Sequence, residues 1–133
     1  MFEAYNHAIA ALALWAVLVS VLAGYSTTGR TAEKRCDCGK PKRDYSDPAY
    51  RRERAFMNAV ENSGPFIAVT VAAILVGAAP FWVNLFASLF IAARVAMAIV
   101  HIATVNQPAR SLFFAFGLLM IAAQAVLVLL AAF

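Results

Sequence analysis

Four long apolar runs follow one another along the chain, separated by polar segments. They cover residues 8–25, 62–79, 81–105 and 111–133. Each run has about the ~20 residues that an α-helix needs to cross the hydrocarbon core of a bilayer. None of them alternates polar and apolar residues with a period of two, which argues against a transmembrane β-barrel. The pattern predicts an all-α integral membrane protein, a bundle of four transmembrane helices.

Polar flanking residues extend these runs into longer helices. Asp47 is expected to cap the second helix, with Pro48 in its first helical position. Pro65 lacks the amide that would bond the carbonyl of Glu61, so a kink is expected there. The chain is predicted to form a single membrane domain over residues 1–133, with spans over 4–27, 48–78, 80–105 and 108–132 and a loop over 28–47.

Composition supports a membrane protein. Apolar residues make up 63% of the chain and charged residues 14%, against roughly 45 to 50% and about 25% in soluble domains. Most charged residues lie between Arg30 and Glu61, and the exceptions are Glu3, Arg94 and Arg110. These proportions exclude an ordinary soluble domain, so we expect any chemistry to lie within the bundle.

The distribution of basic residues predicts the topology. Nine Lys or Arg residues lie between Gly29 and Arg54, and Arg110 lies in the third connection, whereas the connection at residues 78–80 has none. The positive-inside rule places the first loop in the cytoplasm and both termini outside. The flank Met1-Phe2-Glu3 lacks the positive start of a signal peptide, so the first helix is expected to be retained. The net charge of +4 then reflects topology and contact with membrane lipids, and no nucleic-acid partner is expected.

The two cysteines, Cys36 and Cys38, lie in the predicted cytoplasmic loop. Reducing conditions there disfavour a stable disulfide. Two cysteines without a nearby histidine do not make a complete zinc site. We expect two ordinary loop thiols, one of which is reactive if neighbouring Lys and Arg side chains favour its thiolate; zinc shared between subunits is the alternative.

Polar residues enter the membrane on two helices. Arg54, Asn58 and Glu61 fall within an arc of roughly 60° on the second helix, and Arg94 and His101 lie about 20° apart on the third. Near mid-bilayer, Arg94 costs ~2.5 to 3.5 kcal/mol to insert. Because Glu61 balances one arginine only, an anionic ligand is favoured over a purely structural ion pair between helices.

Arg110 falls in the predicted first turn of the fourth helix, where the helix dipole opposes a cation by a few tenths of a kcal/mol. Lipid phosphate and a bound ligand both remain open as the group that offsets this cost. The adjacent Ser111 is either a helix-start residue or a donor to the same ligand. His101 is more often an interhelical hydrogen-bonding residue than a base.

A stretch of the second helix resembles a known family. Residues Glu53-Arg54-Ala55-Phe56-Met57-Asn58-Ala59-Val60-Glu61-Asn62, followed by Pro65-Phe66, are similar to the signature of the MAPEG proteins (membrane-associated proteins in eicosanoid and glutathione metabolism). The spacing from Arg94 to His101, and then Pro108-x-Arg110-Ser111, resembles that family's third and fourth helices. The resemblance covers essentially the whole chain. It implies a homotrimer with a glutathione site at each subunit interface, open to the cytoplasm.

The resemblance also implies a role for each site residue. Glu61 would meet the γ-glutamyl amine of glutathione, and Arg94 one of its carboxylates. Arg110 would stabilise the thiolate, with Ser111 beside it as a second catalytic residue. The other binding residues would be Arg51 at the rim, Arg54, Asn58 and His101; no metal is expected. Met97 and His101 stand where eicosanoid-metabolising members have tyrosines, which argues against an eicosanoid substrate.

The resemblance therefore implies a bacterial-type, microsomal-like glutathione transferase or peroxidase in the inner membrane, with a detoxifying role. Its second substrate would be a lipophilic electrophile or hydroperoxide. One alternative is a non-catalytic glutathione- or lipid-binding protein, like the family's lipoxygenase-activating member. Another is a small multidrug/proton exporter, but such transporters need a carboxylate inside the first helix, and Glu3 lies too near its end.

Overall fold

The structure is a computed structural model that describes residues 2–133. A short 3-10 helix, Phe2–Tyr5, precedes four α-helices: α1 Asn6–Ser26, α2 Pro48–Leu75, α3 Pro80–Ala103 and α4 Gln107–Ala132. No β-strand occurs in this range, where a single isolated bridge pairs Arg35 with Pro41. The prediction of an all-α four-helix bundle is confirmed.

Side-chain caps determine where α2 and α4 begin. Asp47 Oδ1 accepts the amide two residues further on at 3.1 Å, and Pro48 follows as the first residue of α2. Asn106 Oδ1 accepts the amide three residues further on, also at 3.1 Å, so α4 begins at Gln107, one residue before the predicted start. Each cap satisfies an amide that has no partner within its own helix.

The ends of α2 and α3 come slightly earlier than predicted, at Leu75 and Ala103. Gly77 has a φ of 70°, which side-chain-bearing residues rarely adopt, and it turns the chain towards Pro80. Thr104 is extended, with φ −135° and ψ 168°, and therefore does not continue α3. Both connections are short, so consecutive helices from α2 to α4 run antiparallel.

Three segments are long and apolar enough to cross a membrane, namely Phe2–Ser26, α3 and α4. With 28 residues, α2 is the longest helix, but the half nearer the loop carries Arg51, Arg52, Glu53, Arg54 and Glu61. The apolar criterion is thus met by three of the four helices. The remaining helix, α2, has a charged half near the loop and an apolar half, as its sequence indicates.

An aromatic cluster packs at the centre of the bundle. Trp15, Phe66 and Phe90 are almost completely buried, with ring centroids 4.0 Å apart for the two phenylalanines and 5.1 Å apart for Trp15 and Phe90. Trp15 Nε1 donates to Ser63 Oγ at 3.0 Å, so the indole joins α1 to α2 without leaving its polar atom unsatisfied. Phe90 precedes Arg94 by one helical turn, and the cluster therefore borders the polar residues of α3.

Polar contacts also join the helices away from the loop. The Tyr5 hydroxyl donates to the Ala78 carbonyl at 2.5 Å. The Asn84 side chain accepts from the Ala8 amide at 2.9 Å and donates to the Ala4 carbonyl at 2.7 Å. Deep in the bundle, Thr70 Oγ1 donates to Gln124 Oε1 at 2.9 Å, and both residues are fully buried. These bonds tie α4 to α2 and the N-terminal segment to the α2–α3 turn.

A buried carboxylate, Glu53, anchors the α1–α2 loop to α2. Its two oxygens contact Arg30 Nη2 at 2.7 Å and Lys40 Nζ at 3.3 Å. Arg30 also donates to the Gly39 carbonyl at 3.3 Å, so the same cation joins two parts of the loop. Because only 7% of the Glu53 side chain is exposed, loss of a partner costs more here than at an exposed ion pair.

The two cysteines of the loop are joined in the structure as a disulfide, Cys36–Cys38. The expectation of two ordinary thiols, or of zinc shared between subunits, is therefore wrong for this structure. A tight turn brings the two residues together: Gly39 donates to the Cys36 carbonyl and Cys36 to the Lys40 carbonyl, each at 2.9 Å. Their Cα atoms are 5.2 Å apart, within the range that disulfides span, about 4.4 to 6.8 Å.

Candidate functional site

The buried polar side chains in the half of the bundle nearest the loop include four on α2, α3 and α4. Asn58 is on α2, Arg94 and His101 are on α3, and Arg110 is in the first turn of α4. No more than 9% of any of them is exposed. We call these residues the buried polar cluster. All four were predicted as site residues, and the fold brings them into one region from three helices.

Arg94 reaches from α3 to α2. Its Nη2 donates to the Asn58 backbone carbonyl at 3.2 Å and to the Asn58 side-chain carbonyl. The rings of Phe90 and Phe114 lie 5.9 and 5.7 Å from the guanidinium carbon, within cation–π range. Arg94 Nη1 is buried and has no hydrogen-bond partner among the described residues. One side of this guanidinium is therefore satisfied by the chain and the other is not.

A glycine on α4 makes room for Arg94. A Cβ atom placed at Gly117 would lie 3.2 Å from Arg94 Cδ, closer than ordinary van der Waals contact. Gly117 is buried in the middle of α4, where glycine costs roughly 0.5 to 1 kcal/mol relative to alanine. The absence of a side chain there lets the arginine pass between α3 and α4.

Arg110 packs against a tyrosine from the loop. Its guanidinium carbon lies 4.3 Å from the ring centroid of Tyr45, and its Nη1 is buried without a partner in the described part of the chain. The π-face of Tyr45 attracts the cation and offsets the helix-dipole cost of placing it in the first turn of α4. Tyr45 is thus a partner of Arg110 that was not among the sequence predictions.

The loop holds Tyr45 in place through hydrogen bonds on both sides. The Ser46 hydroxyl and amide donate to Asp44 at 2.6 and 2.9 Å, which lowers the pKa of the Asp44 carboxyl below its usual value. Arg51 donates from Nη1 to the Tyr45 carbonyl at 2.7 Å and from Nε to the Ile102 carbonyl at 3.0 Å. Arg51, predicted as a rim contact for the ligand, therefore fastens the loop to the end of α3.

His101 lies between Tyr45 and the cavity beside Arg94. Its ring stacks on Tyr45, with centroids 6.2 Å apart and planes 23° from parallel. Neither ring nitrogen has a hydrogen-bond partner within residues 2–133, so the interhelical hydrogen bond considered from the sequence is absent in this range.

The cavity beside the cluster is small. It is lined by Asn58, Arg94, Met97 and His101 together with apolar residues of α1, α2 and α3, and its volume is about 10 Å³. A cavity of that size holds about one water molecule, whereas ligand pockets typically measure ~300 to 1,000 Å³. A tripeptide therefore does not fit in this cavity.

The predicted stripe on α2 divides between two surroundings. Asn58 is buried against Arg94, whereas Arg54 is half-buried and Glu61 is exposed. Glu61 follows Asn58 by three residues, or about 300° around the helix, so the two point roughly 60° apart. Asn58 therefore faces the inside of the bundle, and Glu61 lies on its surface.

Ser111 does not share the surroundings of Arg110. It is exposed, whereas Arg110 is buried. Successive helical residues point about 100° apart, which separates the two side chains. The structure of one chain therefore does not bring Ser111 to the guanidinium.

The cluster carries more positive than negative charge. The ion pairs within residues 2–133 involve Arg30, Lys34 and Lys40, and all of them lie in the loop or at the start of α2. No carboxylate in that range forms an ion pair with Arg54, Arg94 or Arg110.

The MAPEG family profile matches residues 7–130 of the 133 in the chain. The chain belongs to the MAPEG family. No curated protein matches it. Membership places this MAPEG protein among the integral membrane proteins of eicosanoid and glutathione metabolism, a family that includes glutathione transferases and peroxidases as well as members that are not enzymes.

Two residues of this MAPEG protein have roles that the sequence reasoning did not assign. Glu53 opens the second-helix signature, and it anchors the loop through Arg30 and Lys40. Tyr45 covers Arg110 and His101. An acidic residue within a basic stretch was a usable signal for Glu53. A single tyrosine in an irregular loop carries no periodicity, so no pattern pointed to Tyr45.

Proposed function

We propose that this MAPEG protein is a membrane-bound glutathione-dependent transferase or peroxidase. The observation that carries the proposal is the buried polar cluster, in which Arg94 and Arg110 each keep a buried guanidinium nitrogen without a partner among the described residues. Buried polar groups are normally hydrogen-bonded, and buried cations are normally paired. Glutathione has two carboxylates and a thiolate, which are groups of the kind that these cations lack.

The site is proposed to form between the subunits of a homotrimer. The cavity beside the buried polar cluster holds about one water molecule, so glutathione needs more space than that cavity offers, and a neighbouring chain would provide it. Glu61 faces outward at the level of the membrane, where an unpaired carboxylate is costly. In the assembly it would meet the γ-glutamyl amine, with Arg54 beside it and Arg94 towards a carboxylate.

The proposed chemistry is electrostatic. A thiol bound beside Arg110 loses its proton more readily, because the preorganised cation stabilises the thiolate in a partly desolvated site. In the transferase reaction the thiolate sulfur attacks an electrophilic carbon, and the leaving group departs with its electron pair. In the peroxidase reaction two glutathione molecules reduce a hydroperoxide to an alcohol and water and are oxidised to the disulfide. A lipophilic second substrate would arrive from the bilayer.

The orientation of the protein bears on its glutathione supply. The basic α1–α2 loop lies at the end of the bundle that contains the buried polar cluster, and by the positive-inside rule that end faces the cytoplasm. We propose a bacterial inner-membrane location with the site open to cytoplasmic glutathione and both termini outside.

The decisive experiment measures the thiolate absorbance of bound glutathione across a pH titration, together with turnover of a generic electrophile. Arg110→Ala is expected to raise the pKa of the bound thiol and to lower turnover by about 10² or more. Arg110→Lys should recover only part, because a point charge does not reproduce the guanidinium geometry. Arg43→Ala, which removes an exposed loop cation, is the control and should behave as wild type.

Each alternative function predicts a different result. A non-catalytic member would bind glutathione without forming a thiolate band or turning over substrate. A protein that does not bind glutathione would refute the proposal. Wild-type thiolate pKa and rate in Arg110→Ala would restrict Arg110 to a structural role with Tyr45.

A further inference from the structure

The disulfide lies at the surface of the loop, outside the buried polar cluster. Cys38 is exposed and Cys36 is half-buried. Cys36 is held on both sides of the turn, because its amide donates to Lys40 and its carbonyl accepts from Gly39. Cys38 forms neither of these backbone bonds. The two sulfurs thus differ in access, and an attacking thiol reaches Cys38 first.

The charges next to the pair are mixed. Arg35 directly precedes Cys36, whereas Asp37 lies between the two cysteines and the Lys40 ammonium is held by Glu53 at 3.3 Å. A cation beside a cysteine stabilises its thiolate and makes it a better leaving group, which favours departure of Cys36. The positive-inside rule predicts that this loop faces the cytoplasm, where disulfides in proteins are usually transient, catalytic or redox-sensing.

We propose that Cys36 and Cys38 form a redox-active pair that undergoes thiol–disulfide exchange with glutathione. The thiolate of one glutathione attacks the Cys38 sulfur; the Cys36–Cys38 bond breaks, and Cys36 departs as a thiolate. A second glutathione thiolate then attacks the glutathione sulfur of the mixed disulfide, which releases oxidised glutathione and the Cys38 thiolate. The two electrons that reduce the protein disulfide thus come from two glutathione molecules, and the reverse sequence reoxidises the pair.

Exchange at this turn is connected to α2 through two contacts. Arg30 holds the Gly39 carbonyl and Glu53 together, and Lys40 contacts Glu53 directly. Opening the disulfide removes the covalent restraint on the turn that both contacts depend on. The reduced protein should therefore have a looser loop, which faster cleavage by a protease within residues 31–46 would report.

The test uses the purified full-length protein in detergent, equilibrated with mixtures of reduced and oxidised glutathione and then alkylated for mass spectrometry. The pair should pass from disulfide to dithiol as reduced glutathione increases. Cys36→Ser should accumulate severalfold more mixed disulfide with glutathione than Cys38→Ser, because its remaining sulfur is the exposed one. Arg110→Ala should exchange as wild type, since the pair shares no residue with the proposed active site.

Two results would overturn the proposal. One is a disulfide that stays closed in every glutathione mixture but opens with dithiothreitol after unfolding, which would make it structural. The other is a pair of thiols that never close, even in excess oxidised glutathione. Because Arg110→Ala leaves the exchange unchanged on this proposal, failure of glutathione catalysis and failure of exchange are separate outcomes.

Discussion

Replacing Arg94 and Asn58 with apolar residues tests whether Arg94 stabilises the fold or binds the ligand. Asn58→Leu removes the side-chain acceptor of a guanidinium that already has one buried nitrogen without a partner in the described range. A hydrogen bond to a charged group contributes ~1.5 to 3 kcal/mol, so the free energy of unfolding should fall by that amount. The double variant Asn58→Leu/Arg94→Met removes both the charge and its partner. Such replacements are often neutral or stabilising by ~1 to 4 kcal/mol.

The assay is equilibrium unfolding in detergent, with and without glutathione. A ligand that binds only the folded state stabilises it by ~2.7 kcal/mol at 100 times its Kd. The double variant should keep wild-type stability without ligand and lose the increment produced by glutathione. The control replaces a buried polar pair outside the cluster, Thr70→Val/Gln124→Leu, and should keep that increment.

Two outcomes would contradict this reasoning. If the double variant is as unstable as Asn58→Leu alone, then the buried charge is not what destabilises the single variant. If the double variant keeps the full glutathione increment, Arg94 is a structural residue that contributes nothing to the ligand. Neither unfolding measurement requires the second substrate to be known.

Three further predictions concern residues around the cluster. Glu53→Gln should expose the loop of residues 27–47 to faster limited proteolysis, because it weakens both ion pairs that hold the loop on α2; an unchanged cleavage rate would contradict the anchoring role. Tyr45→Leu should destabilise the protein by ~0.5 to 2 kcal/mol through loss of the contact with Arg110, whereas Tyr45→Phe should retain it, as measured by unfolding. Glu61→Gln should weaken glutathione binding in a titration, because it removes the exposed carboxylate that is proposed to meet the γ-glutamyl amine; unaltered affinity would remove Glu61 from the site.

Periodicity and capping were sufficient to predict the helices. The apolar runs are long and uninterrupted, and Asp47 supplies a cap whose chemistry is local. The same periodicity placed Arg94 and His101 on one face of α3, and both are buried. These features depend on residues within a few positions of one another, which is why sequence alone was enough.

The course of the loop depended on contacts that no local pattern encodes. Glu53 pairs with Arg30, 23 residues earlier in the sequence. Tyr45 contacts Arg110, and two whole helices, α2 and α3, separate these residues along the chain. The loop has several Lys and Arg residues, so the charge pattern did not identify which of them form ion pairs with Glu53. The disulfide follows from the turn at Gly39 rather than from the redox compartment on which the thiol prediction relied.

The division of the α2 stripe supports the proposal that the site forms between neighbouring chains. Helical spacing shows that Asn58 and Glu61 share a broad face, but only packing shows that the edge of the bundle runs between them. One chain therefore leaves an outward carboxylate and inward cations with unused donors, each of which is costly at membrane depth. A zwitterionic ligand lying between neighbouring chains would satisfy both at once, because its ammonium matches Glu61 and its anionic groups match Arg94 and Arg110. The trimer and the glutathione site are thus one proposal, and a monomer that bound glutathione with full affinity would contradict both.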